Sequence, residues 1–317
     1  MKRLTRICQA LLLVVGIMGV NSTIASSTPH IHTWKTSAGT PVYFVRRTQL
    51  PMLDIAVVFD AGSSRDQQSW GLSLLTNQGL DQGTKTLTAD QLAATFAAQG
   101  AIYEAEASKD MAVVSVRTLT NQDALNVVLP LFNKTLTQPN FPKKAMDREH
   151  KQMLAMLKYE AQDPMEVAQN AFYKALYGKA PYAHALLGTT DSVKTLTDDD
   201  MKRFYHTSYV AHNAKIVMIG NLTVAQAKKA SQQLLQGMPV GEKAKPLSAP
   251  SSLSKPIVDN VDFDTQQSTI FLGQLGMTRE NPDYFPLTVG NHILGGMPLT
   301  SVLFDSIRNK HGLAYSI

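Results

Sequence analysis

Apolar residues along the chain fall into short runs with two distinct periods. Runs at 42–46 and 53–59, rich in Val and Ile, predict two strands. Gly39 sits in the turn before the first and Pro41 at its entry, and Ala61-Gly62 stops the second. Residues 71–80 predict a helix. Residues 89–99 predict another, with Leu92, Ala93 and Phe96 on one face and Gly100 closing its end. A strand pair is expected at 102–107 and 111–118. A helix over 121–136 is opened by Thr120 or Asn121 as cap. Residues 142–161 predict a long helix striped by Met146, Met153, Leu154 and Leu157, and Asp163 caps a helix over 164–177. Thr197 and the acidic turn Asp198, Asp199, Asp200 open a helix to 209, as the helix dipole favours. A buried strand at 214–220 and an amphipathic helix at 223–236 follow. Residues up to Ser37 read as polar and loose.

Residues 239–255 are rich in Pro, Ser, Lys and Gly and read as an interdomain linker. After it the order restarts. A strand at 269–273, a polar loop, and a helix at 284–294 ending in Gly295-Gly296 repeat the strand–loop–helix of 53–83. A last strand is expected at 314–317, so the second copy reads as incomplete and the chain as a fragment or truncated product. The pattern predicts an α+β fold of two homologous halves, each a mostly antiparallel sheet with helices on one face. The expected boundaries are a signal at 1–25, a first domain at 26–238, the linker at 239–255, and the start of a second, truncated domain at 256–317.

Length and composition fit this picture. The 317 residues suggest roughly two domains, and 44% hydrophobic against 17% charged residues is ordinary for a globular core. Part of the net charge of +5 lies in the first stretch, where Lys2, Arg3 and Arg6 precede an apolar run from Ala10 to Val20. That is the layout of an export signal, with cleavage expected after Ala25. A short membrane anchor is the alternative, although the run is short for a span of about 20 residues. Without these three residues, 27 basic face 25 acidic side chains, which gives no electrostatic case for nucleic acid. The one cysteine, Cys8, lies inside the signal, so thiol and disulfide chemistry are excluded after cleavage. The expected location is the periplasm or cell envelope, with no stable membrane span once the signal is removed.

Three segments carry the candidate chemistry. The first is Gly71-Leu72-Ser73-Leu74-Leu75-Thr76-Asn77-Gln78-Gly79-Leu80-Asp81-Gln82-Gly83-Thr84. The second is Pro181-Tyr182 with Leu187-Gly188-Thr189. The third is Leu294-Gly295-Gly296 with Ile307-Arg308 and Gly312-Leu313-Ala314-Tyr315. In this order they resemble the pitrilysin/insulinase-like zinc metallopeptidase family, which includes the mitochondrial processing peptidase subunits. The resemblance covers nearly all of the chain after the signal. The family's catalytic helix carries an inverted H-x-x-E-H motif. Two His at i and i+4 share one helical face and bind Zn²⁺, and the Glu acts as general base on the metal-bound water. A Glu on a later helix completes the set. The resemblance puts Leu74 and Gln78 at the two His positions and Asn77 at the Glu position. Aligned through Asp163-Pro164, Met156 falls at the later ligand, to within about one turn. Leu has no donor atom, Asn and Gln are weak neutral ligands, and a Met thioether is too soft for this site. Glu149, His150 and Glu160 lie nearby but cannot form a three-ligand site without the helix pair. The expectation is an ordinary core helix, no metal held by this chain, and no catalytic residue in this chain alone.

The third segment is intact. Arg308 and Tyr315 resemble the family's Arg/Tyr pair, which hydrogen-bonds substrate carbonyls and steadies the developing oxyanion. A surface Arg and a fold-required Tyr are the alternative. Val302 departs from the family, which often has Arg after that Ser. Some family members are paired subunits, one with the zinc helix and one with the Arg/Tyr element, and this chain resembles the second kind. That implies a non-catalytic subunit of an exported peptidase complex. Zinc would sit in a catalytic partner subunit of the heterodimer, and extended peptide would be the bound substrate. A peptide-binding or chaperone-like module without a protease partner is one alternative. An active metallopeptidase with a relocated site is another. Among other candidates, His30 and His32 belong to an expected flexible tail, His206 and His212 flank a helix end, His184 lies in the 181–189 loop, and His311 lies in the turn between Arg308 and Tyr315. Gly295-Gly296 follows a helix and so is no phosphate loop, and no Gly-x-Ser-x-Gly elbow exists.

Overall fold

Alternation along Met52–Phe59 decides which way the sheet faces. Leu53, Ile55, Val57 and Phe59 are at most 1% exposed, while Asp54, Ala56 and Val58 turn to the other side. Burying each large inward side chain contributes roughly 1.5–3 kcal/mol. A computed structural model describes residues 29–317; the expected export signal, with Cys8, lies outside the described residues. Six strands form one sheet: β1 (Ile31–Lys35), β2 (Pro41–Arg46), β3 (Met52–Phe59), β4 (Ile102–Ala107), β5 (Ala112–Leu119) and β6 (Ala214–Gly220). Their order is β1-β2-β6-β3-β5-β4. Only β2 and β6 run parallel; every other neighbouring pair is antiparallel.

The helices are α1 (Leu72–Gln78), α2 (Ala89–Ala98), α3 (Gln122–Thr137), α4 (Lys143–Glu160), α5 (Pro164–Tyr177), α6 (Thr190–Thr195), α7 (Asp198–Ser208), α8 (Val224–Leu234) and α9 (Tyr284–Asn291). The caps read from the sequence are present. Asn121 accepts from Ala124, Asp163 from Met165, and Thr197 from Asp200. Helices α1, α2, α3 and α8 cover the Leu53–Phe59 face. On the open face Asp54 pairs with Arg117.

Two compact units emerge. Of the described residues, one contains 29–154 together with Leu186–Pro246; the other contains Ala155–Ala185 and Leu247–Ile317. The sheet belongs wholly to the first. The second holds α5, α9 and π-helical turns at His292–Gly296 and Phe304–Lys310, with no strand among the described residues. The strands expected at 269–273 and 314–317 are therefore not formed. A strand needs a hydrogen-bonding neighbour, and neither segment has one among the described residues.

The N-terminal expectation also needs correction. Residues 31–35 form an edge strand rather than a loose tail. Trp34 explains it: its ring packs edge-on against Phe44 and its indole N–H donates to the Ser231 hydroxyl at 3.1 Å. His30 and His32 flank this strand's start, with ring centroids 4.4 Å apart. Helix α6 was not anticipated; Thr189 opens it through a capping box and Val193 anchors it.

Candidate functional site

Helix α1 starts at a backbone turn that only glycine adopts without strain. Gly71 has φ +94°, and a Cβ there would stand 2.8 Å from the Leu187 carbonyl oxygen. Gly188, with φ +76°, approaches the Trp70 carbonyl closely enough that a Cβ would lie 2.4 Å from it. The Ser192 hydroxyl donates to that same Trp70 carbonyl at 2.9 Å. Two of the three motif segments thus meet backbone to backbone, which accounts for Gly71 and Gly188.

Asp66 fixes the helix entry. Its carboxylate accepts from the Gly71 and Ser73 amides, each at 2.8 Å. The group is 2% exposed. Burial pushes its pKa up to about 7, against the opposing pull of the Ser73 and Gly71 amides. The sequence carries one signal for this role, an Asp five residues before the helix-opening Gly.

Along the helix, Leu74 is buried and Asn77 is fully buried, while Gln78 is half-buried. The Tyr209 hydroxyl, just past α7, donates to Asn77 Oδ1 at 3.0 Å; the Asn77 amide nitrogen has no partner among the described residues. Tyr209 is itself buried against Phe59 and Tyr205, and burial raises its phenol well above the usual range. Asn77 and Tyr209 are 132 residues apart, so no local pattern announces their pairing.

These side chains do not fit a zinc ion. Leu74 offers hydrocarbon, and Asn77 spends its oxygen on a phenol. Gln78 is a neutral amide, a poor zinc ligand. Met156, where the resemblance puts the later ligand to within about one turn, is 42% exposed on α4. The nearby acid and imidazole are committed elsewhere. Glu149 pairs with Arg148 at 3.3 Å, and His150 Nε2 contacts the Val193 carbonyl. Glu160 is pushed up by partial burial and by Glu166. Among the described residues no group of three His, Cys, Asp or Glu could hold a metal ion.

In the second unit, Arg308 lies over two rings. Its guanidinium carbon is 4.8 Å from the Phe304 centroid and 4.5 Å from that of Tyr315, within cation–π range. Gly312, with φ +64°, reverses the chain between them. Phe304 is buried and Tyr315 is 83% exposed, so the pair sits on a fixed base with an open phenol. His311 is exposed in the same turn, and Val302 is exposed after the buried Ser301. Elsewhere, His184 is buried with Nδ1 2.9 Å from the Ala185 carbonyl oxygen, and exposed His206 and His212 lie on either side of the end of α7.

The profile of the insulinase family (peptidase family M16) matches residues 44–190, and that of the peptidase M16 inactive domain matches residues 195–317. The crystal structure of a peptidase M16 inactive domain from Pseudomonas fluorescens is 33% identical with a TM-score of 0.82, covering 90% of this chain and 69% of that one. The non-peptidase homologue YmxG of Helicobacter pylori is 27% identical over 283 residues, 88% of this chain and 64% of the relative. The probable mitochondrial-processing peptidase subunit beta of Schizosaccharomyces pombe is 24% identical over 276 residues, 83% and 60% respectively. The chain thus spans less than two thirds of the length of these curated relatives. Adjoining profile matches, a shared fold at one-third identity, and motif glycines that meet in space make this chain a member of the insulinase (M16) peptidase family.

Proposed function

We propose that this chain is a non-catalytic, exported subunit that binds extended peptide and lends Arg308 and Tyr315 to the zinc site of a catalytic partner. The observation that carries this reading is the contrast inside the chain. The ligand helix is a core helix with Leu74, Asn77 and Gln78, yet Arg308 and Tyr315 remain together, the phenol open to solvent. A guanidinium and a phenol both donate hydrogen bonds, which suits peptide carbonyls and a developing oxyanion. Zinc and the general base then belong to the partner, with the periplasm or cell envelope as the site of action. The relatives named as processing-peptidase subunits are consistent with a paired arrangement.

The test is co-purification with a protein bearing H-x-x-E-H, followed by a peptidase assay on the complex. Arg308→Ala is expected to lower turnover on the order of a hundredfold while the complex still elutes as one species. Unchanged turnover would remove the role assigned to Arg308.

A groove in the second unit favours a second reading, peptide binding without a protease. Ala168, Ala171 and Phe172 of α5 face 257–261 and 269–272 across about 400 Å³. Peptide binding with no chelator-sensitive cleavage alongside any such partner would select it.

A further inference from the structure

Charge in the first unit is unevenly distributed. Residues 29–53 and 214–241 hold Lys35, Arg46, Arg47, Lys215, Lys228 and Lys229 and no Asp or Glu. The rest of 29–317 holds 21 Lys and Arg against 25 Asp and Glu. The two segments adjoin towards one edge of the sheet. β1 pairs with β2, β2 with β6, and α8 packs on β2. Lys228 Nζ stands 5.9 Å from the Trp34 ring centroid. All six basic side chains are exposed, and none forms an ion pair among the described residues. Charges more than about 10 Å away are largely screened at physiological salt. A partner approaching this edge therefore meets the local cluster rather than the near-neutral whole.

An exposed apolar group accompanies the charge. Leu50 is 62% exposed in the loop after Arg46 and Arg47. Basic side chains beside an exposed apolar tip suit a bilayer surface, where headgroup phosphates take the charge and the apolar tip enters the acyl boundary. Guarding an edge strand against aggregation explains a lysine on β1, but not Arg46, Arg47, Lys228 and Lys229, which lie off that strand. No described helix is long and apolar enough to cross a membrane.

We infer that the β1–β2–β6–α8 edge is a docking surface for an anionic phospholipid bilayer, with Arg46, Arg47, Lys228 and Lys229 as its main contacts. The experiment is vesicle co-sedimentation of the chain purified from its host after export. Vesicles of phosphatidylglycerol with phosphatidylethanolamine are compared with vesicles of phosphatidylcholine alone. The wild type and every variant carry the same N-terminus, so any contribution from residues 1–28 cancels. Binding to the anionic vesicles only, lost at high salt, is expected. Arg46→Gln with Arg47→Gln, and Lys228→Gln with Lys229→Gln, should each weaken it about thirtyfold, at roughly fivefold per basic residue near the surface. The control Lys144→Gln with Lys151→Gln removes the same charge from α4 and should leave binding unchanged. Equal binding to neutral vesicles, or an equal loss in the control, would overturn the proposal. So would capture by duplex DNA or polyglutamate with none by vesicles.

Discussion

Helix α1 and the Phe304–Tyr315 turn differ in what constrains them. Every residue of the helix except Gln78 is buried, its entry amides are held by Asp66, and Asn77 Oδ1 is held by Tyr209. The turn rests on one buried ring and leaves Tyr315 in solvent. In the helix, fold and packing alone account for each side chain. In the turn, packing accounts for Phe304 but asks nothing of an exposed phenol. A motif position inside a core is constrained by packing whatever its chemistry, whereas packing places little demand on the open Tyr315 phenol.

The largest effect that probes this contrast is electrostatic. The Asp66 carboxyl rises from 3.8 to about 7 on folding. Between those values the folded state binds a proton that the unfolded chain has released. This group's contribution therefore favours folding less as pH rises from about 4 to 7, and its full penalty applies above 7. Roughly three units correspond to about 4 kcal/mol. Urea unfolding of wild type and Asp66→Asn across that window should show the wild type losing ground to the variant by up to this amount. Parallel pH profiles would show that Asp66 is not buried as described.

Next is the contact that turns Asn77 into a core residue. Tyr209→Phe removes the donor and leaves the fully buried Asn77 Oδ1 without its partner. A buried polar atom stranded in this way costs about 1–3 kcal/mol. A change in stability below the resolution of chemical denaturation would mean that water already serves Asn77.

The same contrast explains what the sequence reveals. Elements with strong local signals are readable almost to the residue. Ile102–Ala107, Pro164–Tyr177 and Ala214–Gly220 have the bounds that periodicity and caps predict. Edge strand β1 is hard to read because Ile31 and Trp34, three positions apart, face opposite sides, and the rest of the strand is polar. The reason it folds lies 197 residues away, at Ser231. Helix α6 offers one buried residue, Val193, too little for a periodic pattern. At the site, the motif spacing places Leu74, Asn77 and Gln78 together on α1, and Arg308 beside Tyr315 across Gly312. The Asp66 and Tyr209 contacts come from tertiary packing and leave no periodic trace. The segment at 269–273 reads as a strand because its residues suit one, yet strand formation depends on a neighbour that composition cannot supply.

The smallest expected effect is the most discriminating. Arg308 is half-exposed and stacked on Phe304 and Tyr315, with no carboxylate within ion-pair reach among the described residues. Cation–π contacts at exposed sites are worth only roughly 0.5–1 kcal/mol. Arg308→Ala should therefore leave thermal unfolding almost unchanged, in contrast to Tyr209→Phe. If it destabilises the chain as much as Tyr209→Phe, the turn is held by packing as α1 is. The reason to assign Arg308 and Tyr315 a role beyond the fold would then be gone. If it does not, any loss of turnover in a complex reports on chemistry rather than folding, because the two regions respond to different measurements.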